Sequence, residues 1–164
     1  MTISAPLASS ASVRRLTLPD VWLVDVDGTI ALRRFGGRGP YDWNRVGEDL
    51  PNDPVIAIVR ALLATGRNVL FPSGRNEVCY QATWHWIDRH VAPWERSPGM
   101  RGLLMRPDTP RWRMAPDVEL KRYFYEELIH PAYRVVGVLD DRNGVVAMWR
   151  ELGLTCLQVA EGDF

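Results

Sequence analysis

Two aspartates, Asp25 and Asp27, stand two residues apart in Trp22-Leu23-Val24-Asp25-Val26-Asp27-Gly28-Thr29, at the end of an apolar run. On a strand that spacing places both side chains on one face. One carboxylate can attack an electrophile there while the other moves a proton. The same residues also suit an ordinary turn, since Asp and Gly are common turn formers. Company decides between the two. Ser73, with Gly74 and Arg75, follows a second apolar run, and Asp140-Asp141 follow a third. Lys121 is the single lysine among twenty basic residues and lies in the first turns of the expected helix before that third run. Taken singly, Ser73-Gly74 reads as a loop, Asp140-Asp141 as a helix cap and Lys121 as part of a solvated face. Together they sit at ends of elements that can converge.

As a set these groups suit phosphoryl transfer. Asp25 and Asp140, with a nearby backbone carbonyl, can hold Mg2+, which prefers oxygen ligands. The cation would neutralise developing charge and keep Asp25 beside phosphorus. Ser73 and Lys121 would meet the other phosphoryl oxygens, where an ammonium acts as a compact point charge and a guanidinium is larger and planar. Asp25 would form an aspartyl-phosphate. Asp27 would protonate the leaving oxygen and then activate water. A free aspartate titrates near about 3.9, so this role calls for an upward shift at Asp27. Neighbouring carboxylates are its expected source.

The elements that must position these residues read as alternating strands and helices, hence βαβ units. Strands are predicted at Val21–Val26, Asn68–Phe71, Leu103–Met105, Arg134–Leu139 and Leu154–Val159. A first helix starts at a cap in Asn52-Asp53-Pro54, buries Val55, Ile58, Val59, Leu62 and Leu63, and stops at Gly66. Further helices are predicted at Glu77–His90, at Asp117–Ile129, and from Asn143 as cap through Val145, Val146, Trp149 and Leu152. Ala31–Pro51 and Arg106–Pro116 are expected to be irregular. The fold class that follows is α/β, a three-layer α/β/α sandwich around a central, mainly parallel sheet. In such sheets ligands bind at the carboxyl ends of the strands. Residues 18–164 are expected to form this domain and residues 1–17, rich in Ser and Ala, a disordered tail.

The bulk properties exclude some classes. The formal net charge of zero gives no global field for nucleic acid or an anionic membrane, so any anion site must be a local patch. No apolar run is long enough to span a membrane, and no signal peptide is visible. Cys79 and Cys156 are expected as free, buried thiols in a reducing compartment.

Asp25-Val-Asp27-Gly-Thr29, Ser73, Lys121 and Asp140-Asp141 resemble, in order, the four motifs of the haloacid dehalogenase (HAD) superfamily phosphatases. Longer segments are similar to the 3′-phosphatase domain of T-even bacteriophage polynucleotide kinases. These are Gly37-Arg38-Gly39-Pro40-Tyr41-Asp42, Ser73-Gly74-Arg75, Asp140-Asp141-Arg142, Val145-Val146-Ala147-Met148-Trp149-Arg150 and the ending Gln158 to Phe164. The resemblance implies an HAD-like Rossmannoid fold with a small flap and no large cap domain. It implies a Mg2+-dependent phosphatase that removes 3′-phosphate from DNA or RNA ends in end healing, with 2′,3′-cyclic phosphate as a further substrate. Asp25 would be the nucleophile and Asp27 the general acid and base. Thr29, Arg38, Ser73, Gly74, Arg75 and Lys121 would bind phosphate or substrate. Asp25, Asp27, Asp140 and Asp141 would form the metal site.

The sequence carries no Gly-x-x-x-x-Gly-Lys-Ser/Thr loop, so no kinase activity is expected of it. Arg33 and Arg34 either face a polyanion or serve the surface. Of Trp43, Trp84, Trp86 and Trp112, at most one is expected to stack on a base. Two other readings stand beside the leading one: a nucleotidase for mononucleotides, and a non-catalytic module that binds nucleic-acid ends. A dead module would be expected to lose an acid, and this chain keeps all four. The expected location is the cytoplasm (the host's cytoplasm if phage-encoded), without a membrane partner. A homo-oligomer and a separate kinase or ligase partner are both compatible with the sequence.

Overall fold

The structure, a computed structural model, describes residues 18–162; the tail expected at 1–17 lies outside them. Strand β1 (Asp20–Val24) leads into a flap made of β2 (Ala31–Leu32), a 3-10 turn at Trp43–Glu48, and β3 (Leu50–Pro51), which pairs antiparallel with β2. There follow α1 (Asp53–Ala64), β4 (Val69–Asn76), α2 (Tyr80–His90), β5 (Met100–Arg106), the short α3 (Pro110–Arg113) and α4 (Asp117–Tyr123). The last elements are β6 (Arg134–Arg142), α5 (Asn143–Glu151) and β7 (Cys156–Gly162). Five of the strands form one parallel sheet in the order β5-β4-β1-β6-β7. β1, the strand that delivers Asp25, is thus central.

Alternation along β1 sorts the two faces of the sheet. Trp22, Val24 and Val26 pack with Val55, Ile56 and Val59 of α1 and with Trp86 and Ile87 of α2. Val21 and Leu23 pack on the other side with Leu120 of α4 and with Val145, Val146 and Trp149 of α5. Asp25 continues the parity of Val21 and Leu23. Asp140 continues that of Val138, which belongs to the same cluster. Both carboxylates therefore emerge beneath the α4–α5 layer, where Lys121 comes down to meet them.

Several expected boundaries move. β1 stops at Val24, while β4, β5 and β6 run past their apolar cores to Asn76, Arg106 and Arg142. Parallel pairing holds these polar ends in the sheet, with Asn76 opposite Arg106 and Arg142 opposite Gly162. The expected helix Glu77–His90 begins as a 3-10 turn, Glu77–Cys79, and α4 continues as a π turn over Phe124–Ile129. The loop expected at Arg106–Pro116 contains α3 and is pinned by Arg106, which donates to the carbonyls of Gly74 (3.0 Å), Trp112 (2.5 Å) and Ala115 (2.7 Å).

Neither expected Asn cap works through its side chain. The Asn52 amide donates to the Thr29 carbonyl at 2.8 Å, tying α1 to the turn after β1. Asn143 is the first helical residue of α5, and its Oδ1 accepts from Gln158 Nε2 at 2.6 Å. The buried stripe of α1 also differs: Ile56 is buried, and Ile58 is 48% exposed. Ile56→Ala is expected to cost about 2–5 kcal/mol and Ile58→Ala less than about 0.5 kcal/mol, read from urea unfolding midpoints.

Candidate active site

Beyond the carboxyl ends of β1, β4 and β6 lies a cavity of about 880 Å³. Asp25, Asp27, Gly28, Gly74, Lys121 and Asp141 contribute to its inner walls. The flap supplies Leu32, Arg33, Arg38, Pro40, Tyr41 and Trp43, and the segment from Arg113 to Asp117 lines a further part.

At the inner end Lys121 Nζ donates to Asp25 Oδ1 at 2.6 Å and to Asp140 Oδ2 at 2.8 Å. Asp140 also accepts from Trp149 Nε1 at 3.1 Å and from the Arg142 backbone N–H at 3.3 Å. Thr29 Oγ1 donates to Asp141 Oδ1 at 3.1 Å and stands 3.5 Å from Asp25 Oδ2. Asp25, Thr29, Lys121, Asp140 and Asp141 are all buried. Asp25, Asp140 and Asp141 each bring a carboxylate oxygen within 4.8 Å of the others. Three carboxylates thus share one ammonium. Burial, with Asp140 and Asp141 adding to it, pushes the Asp25 carboxyl well above the usual range despite Lys121. Burial and Asp140 raise Asp141 as well. Burial opposes the charge on Lys121, but Asp140 and Asp25 outweigh it and drive Lys121 upward. An oxygen-rich, electron-rich cluster of this kind fits a hard divalent cation.

Two glycines leave room for carboxylates of the site, Gly28 for one of the cluster and Gly74 for Asp117. Gly28 has φ +82°, and a Cβ there would lie 2.1 Å from Asp141 Oδ2. At Gly74 a Cβ would come within 2.8 Å of Asp117 Oδ1.

Asp27 sits apart from the three clustered acids. Arg75 holds it through Nε (2.9 Å to Oδ2) and Nη2 (2.9 Å to Oδ1), and Arg38 Nη2 adds a third bond at 2.7 Å to Oδ1. Behind the arginines lies Asp49, fully buried, which takes Arg38 in a fork at 2.8 and 2.7 Å and Arg75 at 2.7 Å. The expected upward shift at Asp27 is overturned. Burial alone would raise its carboxyl, but Arg75 and Arg38 together win and hold it below the usual range. The cause is spatial: the carboxylate crowd lies around Lys121, and the arginines lie around Asp27.

Other expected residues find different partners. Arg75 is fully buried and reaches Asp27, Asp49 and Thr83. Ser73 is fully buried too; its Oγ accepts the Arg75 backbone N–H at 3.2 Å, and Gly74 beside it faces the cavity. Of Trp43, Trp84, Trp86 and Trp112, only Trp43 lines the cavity. Trp84 stacks on Trp94 at 3.7 Å, and Trp86 and Trp112 are buried. Arg33 faces this cavity, and Arg34 faces a smaller one of about 490 Å³ beside it.

Nothing in the sequence singles out Asp49 or Asp117. Asp49 falls in the stretch expected to be irregular, where no periodicity marks it. Asp117 read only as a helix start. In the structure its carboxylate pairs with Arg106 and, at 2.5 Å, with Arg142 at the cavity wall.

The profile of a family described as the polynucleotide kinase PNKP phosphatase domain matches residues 19–164. Among curated proteins, the chain is similar to a putative bifunctional polynucleotide kinase/RNA ligase of Autographa californica nuclear polyhedrosis virus. The two are 35% identical over 136 residues, which cover 82% of this chain and 18% of that protein. Among solved structures, it is similar to a chain of a Pnkp1/Rnl/Hen1 RNA repair complex, with 34% identity and a TM-score of 0.78, covering 90% of this chain and 44% of the other. A second structure of a Pnkp1/Rnl/Hen1 complex gives 35% and 0.77, with 90% and 48% covered. The chain therefore spans less than half the length of each of these relatives.

Proposed function

The chain belongs to the family of polynucleotide kinase phosphatase domains within the HAD phosphatases, and on that premise we propose that it removes 3′-phosphate from nucleic-acid ends in a Mg2+-dependent reaction. The observation that carries this reading is the buried trio Asp25, Asp140 and Asp141 around Lys121, at the inner end of a cavity whose outer wall holds Arg33, Tyr41 and Trp43. A terminal phosphate fits the inner end and a nucleotide the outer part.

In the proposed reaction Asp25 attacks phosphorus, the bond to the 3′ oxygen breaks, and the phosphoryl group rests on Asp25 as an acyl phosphate. Lys121 balances the negative charge and fixes the attacking carboxylate through its 2.6 Å contact. A Mg2+ ion held by Asp25, Asp140 and Asp141 would supply neutralisation of phosphate charge. Asp27 starts as a carboxylate, as its arginines dictate. A phosphate dianion beside it raises its proton affinity, so it takes up a proton from solvent as substrate binds and gives it to the 3′ oxygen as that bond breaks. It then takes a proton from the water that attacks the acyl phosphate, which releases inorganic phosphate and restores the Asp25 carboxylate. Asp49 has no access to substrate in this scheme. It locks Arg38 and Arg75, and through them Asp27.

The relatives named as kinase/ligase and as parts of an RNA repair complex favour RNA end healing, with a separate kinase or ligase as partner. 2′,3′-cyclic phosphate is a further proposed substrate, the cytosol the proposed site of action, and 5′ phosphorylation no part of it. No described helix is long and apolar enough to cross a membrane.

Mg2+ at a hundred times its Kd is expected to stabilise the protein by about 2.7 kcal/mol, a rise of about 5–10 °C in melting temperature. Asp141→Asn should abolish most of that rise in a thermal melt. For activity, phosphate release is compared across 3′-phosphorylated DNA, 3′-phosphorylated RNA, 5′-phosphorylated oligonucleotide and a 3′-mononucleotide. Turnover of the 3′-ended oligonucleotides well above the other two is expected. Preference for the mononucleotide would favour the nucleotidase, and tight binding without turnover the end-binding module.

A further inference from the structure

The cavity mouth carries side chains that the proposed chemistry leaves unused. Tyr41 is 81% exposed and Met114 is 87% exposed. Both line the same cavity whose inner end is Asp25, one from the flap and the other from the segment after α3. Large apolar side chains left in water beside a site are a feature of ligand-binding surfaces.

The loop that carries Tyr41 is held in place. Arg38, whose Nη2 binds Asp27, turns its Nη1 to the carbonyls of Gly39 (3.3 Å) and Pro40 (3.4 Å). The Asp42 N–H closes the turn on the Gly39 carbonyl at 3.2 Å, and the Trp43 N–H bonds the Tyr41 carbonyl at 3.0 Å. The Trp43 ring backs Tyr41 edge-on, with centroids 6.0 Å apart at 79°. One arginine therefore fixes both the acid that handles the leaving oxygen and the loop that presents an exposed ring. A leaving group with a flat face would be aligned by that coupling. Nucleobases have such a face and stack on aromatic side chains whatever their sequence.

We propose that Tyr41, backed by Trp43, is the stacking platform for the unpaired 3′-terminal base of the substrate, with Met114 as the other apolar contact at the mouth. This inference rests on the end-phosphatase reading. An unpaired terminal base is free to turn its face to that ring, so single-stranded ends and 3′ overhangs are the substrate class of this proposal. Tyr41 is a specificity residue and takes no part in bond making.

The test uses two 3′-phosphorylated single-stranded oligonucleotides, one with an ordinary terminal nucleotide and one with an abasic terminal sugar. Steady-state kcat and KM are measured for the wild-type chain, Tyr41→Ala and Tyr41→Trp. The wild type is expected to show a KM about tenfold higher, or more, for the abasic end. Tyr41→Ala should raise KM for the ordinary end by a similar factor and no longer distinguish the two ends. Tyr41→Trp should restore the distinction, which a merely structural role for the side chain would not do. If the wild type dephosphorylates both ends with equal KM, or Tyr41→Ala still separates them, the inference fails and the phosphatase reading stands. If the wild type releases phosphate from neither, both fail.

Discussion

Asp25→Asn is expected to lower phosphate release by about 10⁴-fold or more, a loss of the size seen when a covalent nucleophile is removed. The amide is isosteric and its oxygen can still accept from Lys121, so the site keeps its shape. What disappears is the nucleophile. Stability should move the opposite way. In the metal-free protein, burial, Asp140 and Asp141 all work against the charge on Asp25. Replacing that carboxylate by a neutral amide relieves the repulsion, and the metal-free melting temperature should stay level or rise. Phosphate release and a thermal melt on the same preparation check both directions. A dead enzyme that had simply unfolded would show the opposite melt.

Lys121→Ala is expected to damage both properties together. Nζ is the sole ammonium among three buried carboxylates, bonded to two of them at 2.6 and 2.8 Å. Removing one partner of a buried ion pair typically costs about 3–5 kcal/mol, because the remaining charges are left uncompensated. For a chain of this size that corresponds to a fall of roughly 6–20 °C in melting temperature. Activity should fall with it, since the attacking carboxylate loses the group that orients it. Lys121→Arg should not restore activity: a planar guanidinium does not fit the buried point between Asp25 and Asp140. Guanidinium chloride unfolding of the three proteins, with parallel phosphate assays, checks these outcomes.

The parts of this site that were legible in sequence share a cause. Asp25, Asp27 and Asp140-Asp141 directly follow β-branched apolar runs, and strand parity then places Asp25 and Asp140 on one face. Lys121 stood out because nineteen other basic residues are arginines. The layer order and parallel sheet followed from the alternation of element types. What stayed hidden depends on partners remote in the chain. Asp49 acquires its role only when the flap folds over Arg38 and Arg75, and Asp117 only when Arg106 and Arg142 reach it. Strand ends such as Asn76 and Arg142 are polar, and neighbouring strands hold them in the sheet. The protonation of Asp27 could not be read from spacing, because its nearest charges in space are two arginines and not the acids nearest in sequence.

The most direct test is to trap the phosphoryl group in transit. A single-stranded oligonucleotide labelled in its 3′-phosphate is mixed with the wild-type chain and Mg2+, and the reaction is stopped with acid within the first turnover. Label should remain covalently on the protein, in the peptide containing Asp25, be removed by hydroxylamine, and be absent from Asp25→Asn. Free phosphate appearing at full rate with no labelled protein, or label on any other residue, would contradict the assignment of Asp25 as nucleophile.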